Sequence, residues 1–79
     1  MSNQWAKVVR SVRRSISNGE ARTVTQGSLA VDLGYGKSSV SKWECGSREP
    51  DMALKVLLTL LTEDPSFMVV VRRIVKDIE

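Results

Sequence analysis

Between Thr25 and Pro50 the chain reads TQGSLAVDLGYGKSSVSKWECGSREP, two short helical patterns separated by a glycine-broken turn. Leu29, Ala30 and Leu33 give the first pattern its apolar face, whereas Val40 and Trp43 give the second only a narrow edge. Isolated helices shorter than about 12–15 residues are marginal in water, so neither pattern can stand without tertiary packing. The chain must therefore supply other amphipathic helices to cover both. Thr25 is placed to N-cap the first pattern. Gly34 ends it and supplies the positive φ that a tight reversal needs, and Gly46 stops the second.

The covering helices are readable on either side. Trp5, Val8, Val9, Val12 and Ile16 fall at i, i+3, i+4, i+7 and i+11, one apolar stripe, with Lys7, Arg10, Arg13 and Arg14 off it. Asn18-Gly19 predicts a turn, which leaves residues 18–24 as a loop. The third helix is predicted from about Lys37 to Cys45, and a fourth from the cap Asp51 through MALKVLLTLLT. Asp64-Pro65 opens a fifth, because proline suits the first helical position. No strand pattern, internal repeat or low-complexity segment is visible. The expectation is one all-α domain of five short helices over residues 1–79.

A chain of 79 residues buries only about 60% of its unfolded surface. An apolar fraction of 42% is enough for one compact core. A single cysteine permits no intrachain disulfide, as suits a reducing compartment. MSNQWAKVVRSVRR has no apolar signal region. The longest apolar run, FMVVV, is far short of the roughly 20 residues that span a bilayer. These features predict a soluble cytoplasmic protein with no membrane partner.

The net charge of +3 hides an asymmetry. Residues 1–48 carry eight Lys/Arg against three acids, a balance of +5, and residues 49–79 carry four against six, a balance of −2. A basic first half suits a polyanion. At 100° per residue, Lys37, Ser41, Cys45, Ser38 and Lys42 share an arc of about 140° on the third helix, opposite Val40 and Trp43. The arc contains no acid. Its serines allow a backbone close approach, and its lysines can reach phosphates or guanine edges. Catalysis fits poorly. With no histidine, Ser–His or Cys–His activation is unattainable, and no cluster of ligands suggests a metal or other cofactor. Glu63-Asp64 reads as a helix start rather than a catalytic pair. The chain is predicted to be non-enzymatic.

The ordered series Thr25-Gln26, Leu29-Ala30, Leu33-Gly34, Val40-Ser41-Lys42-Trp43-Glu44, Gly46 and Pro50 resembles, without a gap, the helix-turn-helix of the phage repressor and Cro family, the XRE-type regulators. The resemblance implies a five-helix, lambda-repressor-like DNA-binding domain with its motif at about 25–46. In that family the second motif helix enters the major groove with its N-terminal residues at base edges. Carried over, Lys37, Ser38 and Lys42 are the implied base readers. Gln26 would touch a phosphate, and Ser39, Ser41 and Arg48 would clamp the backbone. The arc on the third helix selects most of these residues independently. The family also implies a structural ion pair, here Arg13 with Glu44. Two departures stand out: Gly36 replaces a common Ser or Thr before the second motif helix, and the connection from Arg13 to Gln26 is longer than usual. The extra residues are read as an idle surface loop, and Cys45 as a passive small residue near the DNA.

On the fifth helix, Val70, Ile74, Phe67, Ile78, Val71, Val75 and Met68 cover an arc of about 160°. A surface helix needs only a little more than about 100° to pack on its own core. The surplus predicts a homodimer through helix 65–78, with Phe67, Met68, Val71 and Val75 in the interface. The predicted function is a sequence-specific transcriptional regulator, a repressor or autoregulator that binds an inverted-repeat operator in double-stranded DNA as a homodimer. The alternative is an antitoxin that binds its toxin protein and autoregulates its operon. LLTEDPSFMVVV is similar to the tail after the motif in some antitoxins. A dedicated toxin-binding extension would discriminate the two, and none is visible, which favours the plain regulator.

Overall fold

The apolar stripe of Ala6, Val9, Val12 and Ile16 winds into α1 (Gln4–Glu20), the longest helix of a computed structural model that describes residues 4–79. It is followed by α2 (Gln26–Asp32), α3 (Ser39–Glu44), α4 (Met52–Glu63) and α5 (Phe67–Ile78). The architecture is all-α. Among the described residues there is no strand, and no helix is long and apolar enough to cross a membrane.

Local chemistry explains most of the boundaries. The Thr25 hydroxyl accepts from the Ser28 N–H at 3.1 Å while the Ser28 hydroxyl oxygen accepts from the Thr25 N–H at 3.1 Å, a reciprocal capping box that starts α2. At its other end Gly34 stands at φ +85°, and the N–H of Tyr35 reaches back to the carbonyl of Ala30 at 2.9 Å. Gly46, at φ +82°, closes α3 the same way, with Ser47 N–H on the Lys42 carbonyl at 3.0 Å. Asp51 caps α4 through Leu54 N–H at 2.9 Å. Pro65 falls in a tight turn just before α5 rather than at its first helical position. The carbonyls of Asp64, Pro65 and Ser66 accept i→i+3 bonds from the N–H groups of Phe67, Met68 and Val69.

The end of α1 departs from the predicted turn. Asn18 and Gly19 remain helical, and the reversal falls at Ala21, whose φ is +54°. The N–H of Arg22 bonds to the Ser17 carbonyl at 3.1 Å, and Ala21 N–H to that of Asn18 at 3.3 Å. This is the same cap that glycine supplies in α2 and α3, here built on an alanine. The asparagine and glycine were read as a turn from local propensity alone. The helix continues because Ser17 and Glu20 have partners elsewhere: Ser17 Oγ accepts from Val24 N–H at 2.9 Å, and Glu20 pairs with Arg72 on α5.

The core joins Val9, Val12 and Ile16 to Val24, Leu29, Leu33, Val40 and Trp43, and then to Leu54, Leu58, Leu61 and Met68. Here the structure corrects the sequence reading of α5. Met68 is the most deeply buried residue of the helix, 0% exposed, so it belongs to the core and not to a subunit interface. Val71 packs on that core and Val75 is half-buried, with Val75 Cγ1 lying 3.6 Å from where a Cβ on Gly34 would stand. The free apolar edge is the other one: Phe67, Val70, Ile74 and Ile78 are 45, 37, 49 and 79% exposed. Arg72 explains the rotation. It flanks Met68 on the helix and is drawn inward to Asp32 at 2.8 Å and Glu20 at 2.5 Å, which turns the Met68 edge toward α1 and α2. Of the predicted interface residues, Phe67 alone lies on the exposed edge.

Ala21 holds a left-handed conformation that costs an L-residue about 1–2 kcal/mol. Gly19 sits in a helix with open space where a Cβ would go. Ala21→Gly should therefore raise stability by up to about 1 kcal/mol, and Gly19→Ala by about 0.5–1 kcal/mol. Urea melts check both; a loss in either variant would contradict this account of the α1 terminus.

Candidate nucleic-acid interface

Helix α3 has only six residues and inserts two apolar side chains into the core, so its position depends on other contacts as well. Val40 and Trp43 are buried, and Tyr35 from the preceding turn meets Trp43 edge-on with ring centroids 5.1 Å apart. The last residue of the helix, Glu44, is buried with 5% of its side chain exposed. Arg13 of α1 grips its carboxylate with two bonds, Nε to Oε2 at 2.7 Å and Nη2 to Oε1 at 3.0 Å. Gln26 at the start of α2 donates to Oε1 at 3.0 Å, and Arg10 donates to the Glu44 main-chain carbonyl at 3.1 Å. Arg13 also donates to the Val24 carbonyl at 3.3 Å. One carboxylate thus joins α1, α2 and α3. Among the described residues, no buried side-chain nitrogen or oxygen is left without a hydrogen-bond partner.

Burial pushes the Glu44 carboxyl up, but the hydrogen bonds from Arg13 and Gln26, with the charges of Arg13 and Arg10, outweigh it and hold its pKa below the ordinary carboxylate value. Two of the sequence readings gain geometry here. Arg13 and Glu44 meet as a bidentate pair, the stronger form of ion pair. Gln26, expected at a phosphate, donates one amide N–H to Glu44 and so also braces the helix from inside, with its second N–H not used by that bond. Neither the Gln26 contact nor the Arg10 contact was anticipated from the sequence. Arg10 lies three residues before Arg13 on the same flank of α1, and that spacing is the signal that would have found it.

The remaining assigned residues share the outer side. Lys37, Ser38, Ser41 and Lys42 are exposed, Ser39 is half-buried, and Arg48 is exposed in the loop after α3. Ser38 occupies the N-cap of α3 but makes no side-chain cap hydrogen bond, so capping does not consume its hydroxyl. A Cβ on Gly27 would stand 4.0 Å from the Lys37 Cβ, which puts Lys37 beside the first turn of α2. Cys45 is exposed at the C-cap of α3, where its thiol donates to the Lys42 carbonyl at 3.4 Å.

The ion pairs sort the charges. Every acid in residues 1–49 is engaged: Glu20 with Arg22 and Arg72, Asp32 with Arg72, Glu44 with Arg13 and Arg10, and Glu49 with Lys55. Among the described residues of that stretch, Lys7, Arg14, Lys37, Lys42 and Arg48 have no ion-pair partner. All five are exposed. They lie on α1, on the approach to α3, on α3 itself and in the loop after it. Also among the described residues, no group of three His, Cys, Asp or Glu side chains is placed to hold a metal ion.

Removing Arg13 while keeping Glu44 would leave a buried charge short of its main partner. Arg13→Met should cost about 3–5 kcal/mol in a denaturant melt, and a loss below about 1 kcal/mol would show the pair to be dispensable. Because the native Glu44 pKa is depressed, its stabilisation is present above the unfolded value, about 4.3, and is lost as pH falls through the native pKa. Glu44→Gln should therefore be less stable at neutral pH and lose less stability on acidification.

No protein-family model matches the chain, and no curated protein or solved structure matches it either.

Proposed function

We propose that the protein is a DNA-binding transcriptional regulator in which α2 and α3 act as a helix-turn-helix of the phage repressor and Cro type, with α3 in the major groove. The observation that carries this reading is the charge sorting among the described residues. The acids of residues 1–49 are all paired, and the five cations left over are exposed on α1, on the approach to α3, on α3 itself and in the loop after it. A major groove about 12 Å wide admits an α-helix, and Ser38 and Ser41 are small enough to let one approach closely. Lys37, Ser38 and Lys42 read base edges, while Ser41, Arg48 and Ser39 contact phosphates. Gln26 acts through Glu44, holding α3 at a fixed angle to α2. Such a regulator works in the cytoplasm, where it represses by occluding polymerase.

The protein acts as a homodimer on an inverted repeat. Two α3 helices reach successive major grooves when set about 34 Å apart, one turn of the duplex. The edge of α5 formed by Phe67, Val70, Ile74 and Ile78 is the surface that sets this spacing. It replaces the Met68, Val71 and Val75 edge, of which the monomer core takes Met68 and packs against Val71, while Val75 is half-buried.

Selection of bound duplexes from a random pool, followed by two substitutions, tests the reading. Lys37→Ala should cost about 1–3 kcal/mol on the selected sequence and less on mixed-sequence DNA. Ile74→Asp should sediment as a monomer, keep its helical circular dichroism and lose most affinity for a two-half-site duplex. Failure to enrich any sequence, with no binding to mixed duplex at low salt, would overturn the proposal.

A further inference from the structure

The flank of α1 that meets α3 is basic well beyond the two arginines that hold Glu44. At 100° per residue, Arg13, Ser17, Arg10, Arg14 and Lys7 follow one another outward from the buried Val9 across about 120° of the helix. No acid interrupts them. Arg13 and Arg10, the inner members with Ser17, reach the Glu44 carboxylate and carbonyl, so this side of α1 faces the C-terminal end of α3. Arg14 and Lys7 come next outward, exposed and, among the described residues, without an ion-pair partner. Together with Arg10, Ser11, Ser15 and Asn18 they line a shallow groove along the outside of α1.

The chemistry of this groove selects its occupant. It has cations and hydroxyl or amide donors, and none of the apolar or aromatic anchors that a protein interface places at its centre. Lys7 and Arg14 are two helical turns apart, about 10 Å along the axis. One DNA strand presents a phosphate about every 3.4 Å of duplex axis, so the pair spans roughly three phosphates. We propose that the Lys7, Arg10 and Arg14 flank of α1 is a second phosphate-contact surface, which seats the sugar-phosphate backbone of the duplex beside the bases that α3 faces. The proposal rests on the DNA-binding reading and extends the contact surface from α2 and α3 onto α1.

The test uses the full chain and a mixed-sequence duplex, followed by fluorescence anisotropy from about 50 to 200 mM salt. A double variant, Lys7→Gln with Arg14→Gln, removes the two outer charges and leaves Arg10 on Glu44. Its affinity should fall equally on selected and mixed DNA. The slope of log affinity against log salt should become shallower by about 2 per protomer, one for each lost phosphate contact. The charge-matched control, Arg73→Gln with Lys76→Gln on α5, should leave the slope unchanged, and both variants should melt like the parent. If the parent binds with a steep salt dependence and the Lys7/Arg14 variant keeps the same slope, the α1 surface is wrong while the reading of α3 survives. Equal changes in the two variants would reduce the effect to net charge and overturn the proposal. A parent that does not bind duplex at all overturns both.

Discussion

The buried carboxylate of Glu44 is the constraint on which the arrangement of α3 depends. A six-residue helix with two buried apolar side chains has little besides Glu44 to hold its angle, and Ser41 and Lys42 face outward. A lone charge at 5% exposure would be strongly destabilising, so Glu44 is tolerable only with its partners in place. Those partners come from two other helices. Arg13 and Arg10 approach from α1 and Gln26 from α2, and the Arg13 guanidinium also reaches the Val24 carbonyl in the connection between those helices. The carboxylate therefore converts three helices into one frame and leaves the opposite side of α3 free of structural duties.

Arg72 performs a parallel task at the other end of α2. It bridges Glu20, where α1 ends, and Asp32, where α2 ends, so α5 is fixed against both. Hydrogen bonding from Arg72 outweighs burial and holds the Glu20 carboxyl below its ordinary pKa. These two polar junctions consume acids that would otherwise soften the positive field around α3. Structural pairing and the surface charge pattern are thus two consequences of the same contacts. In the proposed function, that pattern is what a duplex meets first.

Features set by a residue and its close neighbours were legible in the sequence. Thr25 and Asp51 cap the helices they were read to cap, Gly34 and Gly46 adopt positive φ, and the stripe from Val9 to Ile16 is buried. The α1 terminus was not legible, because Asn18-Gly19 carries the stronger local turn signal while the reversal is decided by contacts made by Ser17 and Glu20. The edge of α5 was not legible either. Both edges of its arc are apolar, and an arginine beside Met68 looks solvated until its two carboxylates are seen on other helices. At the candidate interface, the burial of Val40 and Trp43 was legible from the angular pattern. That pattern counts Lys37 and Ser38 as helical, whereas α3 begins at Ser39, with Ser38 as its N-cap and Lys37 in the preceding turn. The bracing contacts of Gln26 and Arg10 depend on which groups find partners across the fold, and no one-helix pattern records that.

In the proposed function, the outer side of α3, the loop after it and the adjoining flank of α1 form one DNA-facing surface. The most direct measurement is an amide chemical-shift titration of the labelled protein with a duplex obtained by selection. The largest changes should fall at residues 37–42, at Arg48 and along the Lys7 to Arg14 flank. Amides of α4 and of the outer edge of α5 should stay close to their free positions. Changes concentrated on α4 or α5, with residues 37–42 unmoved, would contradict that reading.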